Sequence, residues 1–165
     1  AEELEMKQVW DVAHNRASIE KHEVDGKIKR LIIHRKGACG CYYPGREELP
    51  PIYKNYGSLD ILGGSMQTGS YLLLGTNGSK NTFCSTAHGS GRTMSRNQAK
   101  RTWRGDKLQK EMEQKGIYVK SVSFSVLAEE AGGAYKDIHS VVDATEKAGI
   151  SRRFIGLIPI ANVKG

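Results

Sequence analysis

Between Phe83 and Arg96, the run Phe-Cys-Ser-Thr-Ala-His-Gly-Ser-Gly-Arg-Thr-Met-Ser-Arg gathers the groups in this chain best suited to handling a phosphate. His88 offers an imidazole lone pair that can serve as nucleophile, base or metal ligand. Gly89 and Gly91 allow positive φ and close approach of the backbone to a bound group. Arg92 and Arg96 add permanent positive charge. Ser95, with Gln98 three residues on, has the pattern of a capping box, and the helix it opens would present free N–H groups to an anion. Together with Ser90, these residues read as a histidine held against a phosphate. A plain strand-to-helix turn with a packed histidine uses the same residues, and the motif alone leaves both readings open.

Four further stretches carry usable chemistry. His14 lies between Asp11 and Asn15, where a neutral imidazole can bind a transition metal and a nearby carboxylate can fix its tautomer. Gly63, Gly64, Ser65 and Met66, followed by Ser70, combine flexible backbone with hydroxyls, which suits either a nucleotide pocket or a hairpin loop. Tyr135 follows Gly132-Gly133-Ala134, and its ring can stack on a base or simply open the next helix. Lys164 is penultimate, within reach of a base oxygen or a phosphate if it does not face water. Cys39 and Cys41 have the spacing of a metal pair, but no partner ligands follow at zinc-site spacing, so they read as free thiols. Cys84 reads as core, and His22, His34 and His139 as structural.

The elements that must position these residues can be read from pattern. Val9–Val12 is short and apolar, a candidate strand delivering His14. Segments 16–24 and 27–35 alternate and flank Asp25-Gly26, the signature of a tight hairpin turn. Segment 37–51 reads as loop, and 58–62, 71–75 and 82–86 as strands. A helix should begin after Ser95, and a second, capped by Asp106, should end before Gly116. Segment 117–124 reads as a strand. Asp137 should cap a helix with Ile138, Val141, Val142 and Thr145 on one face, closed by Gly149, and 154–163 should form a last strand. Strands outnumber helices without regular β-α-β alternation, so the fold class expected is α+β.

The opening motif resembles the guanylylation motif of the RNA-splicing ligases of the RtcB type, which carry His-Gly-Ala/Ser-Gly-Arg. Asp11-Val-Ala-His-Asn15, His34-Arg-Lys-Gly37, Gly63-Gly-Ser-Met66 and Lys164-Gly165 match the same family in its order, across nearly the whole chain. The resemblance implies a GTP- and manganese-dependent ligase joining RNA 3′-phosphate or 2′,3′-cyclic-phosphate ends to 5′-hydroxyl ends, as in tRNA splicing. It implies His88 as the guanylylated nucleophile and His14 as a manganese ligand, with two ions in the complete enzyme. Asn15, Gly63, Gly64, Ser65, Met66, Ser70, His88, Gly89, Ser90, Gly91, Tyr135 and Lys164 would hold the nucleotide, and Arg92 and Arg96 would meet RNA. The family's other metal ligands lie in an upstream portion, so 1–165 is expected to be a single domain or the C-terminal fragment of such a catalytic domain.

Composition bounds the alternatives. Lys and Arg number 25 against 18 Asp and Glu, a net charge of +7 that favours a polyanionic partner such as RNA. No apolar run is long enough to span a membrane, and an odd count of three cysteines argues for a reducing, cytoplasmic setting. A non-catalytic basic module binding nucleotide or RNA phosphate fits the charge equally well but has no need of His88. A metal-dependent phosphohydrolase would need carboxylate–histidine pairs that the sequence does not offer.

Overall fold

A computed structural model describes residue 5 and residues 7–165. The first large element is a hairpin of β1 (Asn15–Val24) and β2 (Lys27–Lys36), paired in register from Asn15↔Lys36 to Val24↔Lys27. Asp25 and Gly26 both take positive φ, as a two-residue primed turn requires. The strands alternate, but with unusual polarity. Glu20, His22 and Arg35 point inward and are buried, while Ile19, Ile28 and Ile32 are exposed on the other face.

β3 (Ala38–Gly40) pairs antiparallel with β6 (Ser85–Ala87), and β4 (Leu59–Gly63), β5 (Ser70–Gly75) and β8 (Ser151–Leu157) form a three-stranded sheet in that order. β7 (Tyr118–Ser121) pairs parallel with β9 (Ala161–Lys164). The helices are α1 (Arg96–Thr102), α2 (Gly105–Gln114), α3 (Phe124–Glu129) and α4 (Ile138–Lys147). The α+β expectation holds, with helices packed beside several small sheets. No helix among the described residues is long and apolar enough to cross a membrane.

Two apolar clusters form the core. One joins Met66, Leu108, Met112, Ile117, Val119, Leu127 and Ala131, with Trp103 against it; the other joins Leu62, Leu73, Ile138 and Val142. Leu62 and Met66 belong to different clusters, so the Gly63-Gly64 turn between them crosses the seam. The candidate site is built over that seam.

Several expectations need correction. Segment 9–12 is not a strand: among the described residues no neighbour pairs with it, and Tyr53 holds it instead, its hydroxyl donating to Val9 O at 2.9 Å. The loop 37–51 contains β3. The strand expected at 82–86 begins at Ser85, because Phe83 and Cys84 both take left-handed backbone angles. Asp106 is not a cap but pairs with Arg104, which occupies the cap position of α2. Segment 117–124 ends as a strand at Ser121, and Ser123 then caps α3 by accepting from Val126 N. The last expected strand is two, β8 and β9, in separate sheets. Ser95 and Asp137 cap α1 and α4 as their sequences imply.

Candidate active site

His88 is delivered by the three-residue strand β6 and fixed from both sides. Its carbonyl accepts from Gly63 N at 2.9 Å, and Ser90 N donates to Gly63 O at 2.8 Å, so the motif is zipped to the end of β4. Gly91 takes φ +74°, as expected of a left-handed position. Gly89 does not: paired with Gly63 as in a parallel bridge, it has no need of positive φ. Ser90 is buried, and its hydroxyl is without a hydrogen-bond partner.

His14 reaches the same place from the start of β1, its carbonyl accepting from Gly37 N at 2.9 Å. The rings of His14 and His88 stack, with centroids 4.4 Å apart and planes 25° from parallel. Partial burial, and then the neighbouring His14, hold His88 below the ordinary imidazole pKa. A neutral His88 keeps the lone pair that a nucleophile or a metal ligand needs.

Of the metal ligands expected in the complete enzyme, this chain is expected to supply His14 alone. Among the described residues no group of three His, Cys, Asp or Glu side chains is placed to hold an ion, and Asp11 makes no hydrogen bond to His14. The described donors by themselves therefore do not amount to a manganese site. Cys39, Cys41 and Cys84 are free and buried, as read from sequence. Burial pushes the Cys39 thiol up to about 12 and that of Cys41 higher still, so both are protonated and unreactive.

A cationic cluster adjoins the motif. Gly91 O accepts from Lys136 N and Thr93 N donates to Ala134 O, which brings Arg92 opposite Tyr135. The Arg92 guanidinium lies over the Tyr135 ring, 4.7 Å from its centroid, and donates to Tyr135 Oη, Glu129 O and Met94 O. Arg92 is thus engaged within the protein rather than facing solvent. Glu130 binds the cluster together: Tyr135 donates to it at 2.6 Å, and Arg92, Lys164 and Arg96 lie 3.6, 3.5 and 4.0 Å from it. Arg96 is the most exposed of these cations. Burial, then the Glu130 carboxylate, raise the Tyr135 pKa.

The Gly63–Ser70 loop is shaped by its own contacts. A Cβ at Gly64 would collide with Gly69 O, and Ser65 N and Oγ both bond Thr68 Oγ1. Gln67 Oε1 accepts from Gly132 N at 2.7 Å, tying this loop to the segment before Tyr135. Met66 turns into the core, and its carbonyl accepts from Asn162 of β9. Its side chain is not presented to a ligand. Ser70 and Asn15 sit at strand starts, paired to Gly63 and Lys36.

The structure thus brings together His14 with His88, Gly63 with Gly89 and Ser90, and Arg92 with Tyr135 and Lys164. Sequence reasoning missed Glu130, Gln67 and Arg35. Glu130 follows Glu129 at the C-terminal end of α3, and nothing local distinguishes the two. Gln67 could be found only from its partner 65 residues away.

Comparison with known proteins is consistent across the chain. The family model described as tRNA-splicing ligase RtcB matches residues 1–165. Among relatives, tRNA-splicing ligase RtcB of Pyrococcus abyssi is 48% identical over 165 residues, covering 99% of this chain and 18% of its own length. The Thermococcus kodakarensis protein of the same name is 46% identical over 166 residues, covering all of this chain and 34% of its own. RNA-splicing ligase RtcB homolog 1 of Entamoeba histolytica is 45% identical over 164 residues, 31% of its length. The chain spans about a third or less of the curated relatives it matches.

Proposed function

The chain belongs to the tRNA-splicing ligase RtcB family, and from that premise we propose that it forms part of the catalytic centre of a GTP-dependent RNA ligase, with His88 as the nucleophile. The observation that carries this reading is the stacked His14–His88 pair, with His88 neutral and fixed at the mouth of the glycine-rich motif. His88 attacks the α-phosphorus of GTP through its free ring nitrogen. The N–P bond forms as the bond to the bridging oxygen breaks, and pyrophosphate leaves with that electron pair. An RNA 3′-phosphate then takes the GMP from His88, and the 5′-hydroxyl of a second RNA end displaces GMP to close the phosphodiester. A 2′,3′-cyclic-phosphate end is opened to the 3′-phosphate first.

The remaining residues bind and orient. Gly63, Gly64, Ser65, Ser70, Gly89, Ser90, Gly91 and Asn15 surround the nucleotide phosphates and sugar, with Met66 supporting the loop from below. Tyr135 and Lys164 face the base. Arg96, free to move, meets RNA phosphate, while Arg92 holds Tyr135 in place. His14 would supply one ligand to a manganese ion, with further ligands from the rest of the full-length protein, and the ion would neutralise charge on the nucleotide phosphates. In the complete protein, 1–165 is one portion of a single catalytic unit whose RNA substrates are tRNA exon halves.

The test is ligation of RNA bearing a 3′-phosphate to RNA bearing a 5′-hydroxyl, with GTP and manganese. The full-length protein should join the ends, and its His88→Ala variant should not. The 165-residue chain alone should bind RNA in a salt-sensitive way without joining it. Joining by the isolated chain would show that its donor set is complete after all.

A further inference from the structure

The charged cluster under the β1–β2 hairpin lies outside the site described above, yet its Arg35 makes six side-chain hydrogen bonds. Arg35 is 5% exposed. Its Nη1 and Nη2 meet both oxygens of Glu20, at 2.6 and 2.9 Å. Its Nε donates to Ser85 Oγ at 2.9 Å, and Nη2 also donates to Phe83 O and Cys84 O at 2.8 and 3.1 Å. Glu20 is itself held by Ser18, His22 and Tyr42. A buried ion pair of this kind is weak evidence for net stability, because desolvation offsets much of its attraction. Its geometric specificity calls for another explanation.

That explanation lies in what the guanidinium grips. Phe83 and Cys84 are consecutive non-glycine residues at φ +50°, a conformation costing about 1–2 kcal/mol per residue when nothing opposes it. Arg35 takes the carbonyls of both. They form the bend that aims β6, and β6 runs three residues before delivering His88. Arg35 is also one position from Lys36, which pairs with Asn15, and two from Gly37, which holds His14 O. One side chain therefore ties the strand that carries His14 to the bend that aims His88.

We infer that Arg35, seated on Glu20, is a positioning residue that sets the relation between the His14 and His88 rings. It touches neither ring and acts through backbone. The guanidinium suits this task, since its five N–H groups reach the carboxylate, two carbonyls and a hydroxyl at once; a lysine ammonium in the same place could satisfy only some of them. The inference deepens the function proposed above and rests on His88 being the reacting histidine.

The test needs no substrate. With histidines isotopically labelled, the His14 and His88 rings should give a strong cross-relaxation peak in the unliganded chain, and the contact between His139 and Tyr71, whose Nδ1 and Oη are 2.7 Å apart, serves as an internal record of the fold. Arg35→Lys should abolish the His14–His88 peak and keep the His139–Tyr71 peak. If Arg35→Lys does not fold, Ser85→Ala decides, since it removes one of the hydrogen bonds to Arg35 and spares the ion pair. A loss of at least half the His14–His88 intensity, with the His139–Tyr71 peak retained, supports the inference. Unchanged His14–His88 intensity in a folded variant, loss of both peaks in both variants, or absence of the His14–His88 peak from the parent chain would overturn it. Failure of His88 to accept GMP in a protein that shows the ring contact would refute the proposed function and leave the positioning role standing.

Discussion

At the scale of single residues, the site is organised by carboxylates as much as by cations. Glu130 stands where an anionic ligand would stand, gathering Arg92, Arg96, Lys164 and the Tyr135 hydroxyl. A carboxylate so placed keeps like charges from repelling one another, but it also competes with RNA phosphate for the same cations. Glu130→Gln should therefore raise RNA affinity about threefold at low salt and steepen its salt dependence, as the freed cations contact phosphate. Fluorescence anisotropy against a short RNA at several salt concentrations would measure this. Weaker binding with a shallower slope would mean that Glu130 aims the cations rather than competing for them. His88 shows the complementary economy. Burial and the adjacent imidazole keep it neutral, so it needs no separate base to expose its lone pair.

At the scale of elements, what the sequence makes legible is local, and what it hides is long-range. The Asp25-Gly26 turn, the Ser95 cap and the Asp137 cap each depend on a few adjacent residues, and all three are where the sequence places them. The short helix α3 is hidden because Val122 and Phe124 extend the apolar pattern of β7, while the signal that ends the strand is a single hydroxyl, Ser123. Segment 9–12 has strand-like residues, but a strand requires a partner and none among the described residues adjoins it. The stacked histidines depend on a contact between residues 74 positions apart, so their chemistry could be named in advance while their geometry could not, and the Arg35 cluster, tied to Phe83, Cys84 and Ser85, is not legible at all. Asp137 is the most testable of the local devices. Its carboxylate accepts from His139 N and Ser140 N at the start of α4, and α4 places Ile138 and Val142 in the core. Asp137→Ala should cost about 1 kcal/mol, seen as a lower midpoint in thermal or urea denaturation. No change in midpoint would mean that packing alone holds the helix.

At the scale of the whole molecule, Asp60 links stability to pH. It is 1% exposed, its Oδ1 has no partner among the described residues, and burial raises its pKa to about 7 although the Ser58 hydroxyl donates to Oδ2 at 2.9 Å and pulls the other way. A carboxyl whose folded pKa lies above its unfolded value of 3.8 favours the folded state while it is protonated, and that advantage is lost as pH rises from about 4 to about 7. The chain should be more stable at pH 5 than at pH 8 by at most roughly 3 kcal/mol, since about two pH units of that window lie between pH 5 and the folded pKa. Asp60→Asn should remove most of that dependence, and denaturation midpoints at the two pH values would show whether it does. The exposed surface bears on the same scale. β8 presents Phe154, Ile155 and Leu157 to solvent, and Ile158, Ile160 and Val163 follow, a concentration of apolar side chains that marks a surface for contact.

Whether His88 carries GMP is measured most directly by intact-mass analysis. The full-length protein is incubated with GTP and manganese, the adduct is weighed, and the modified residue is located by peptide mapping. One GMP per chain is expected on His88, and none on the His88→Ala variant. An adduct that persists in His88→Ala, or that maps to any other residue, would contradict it.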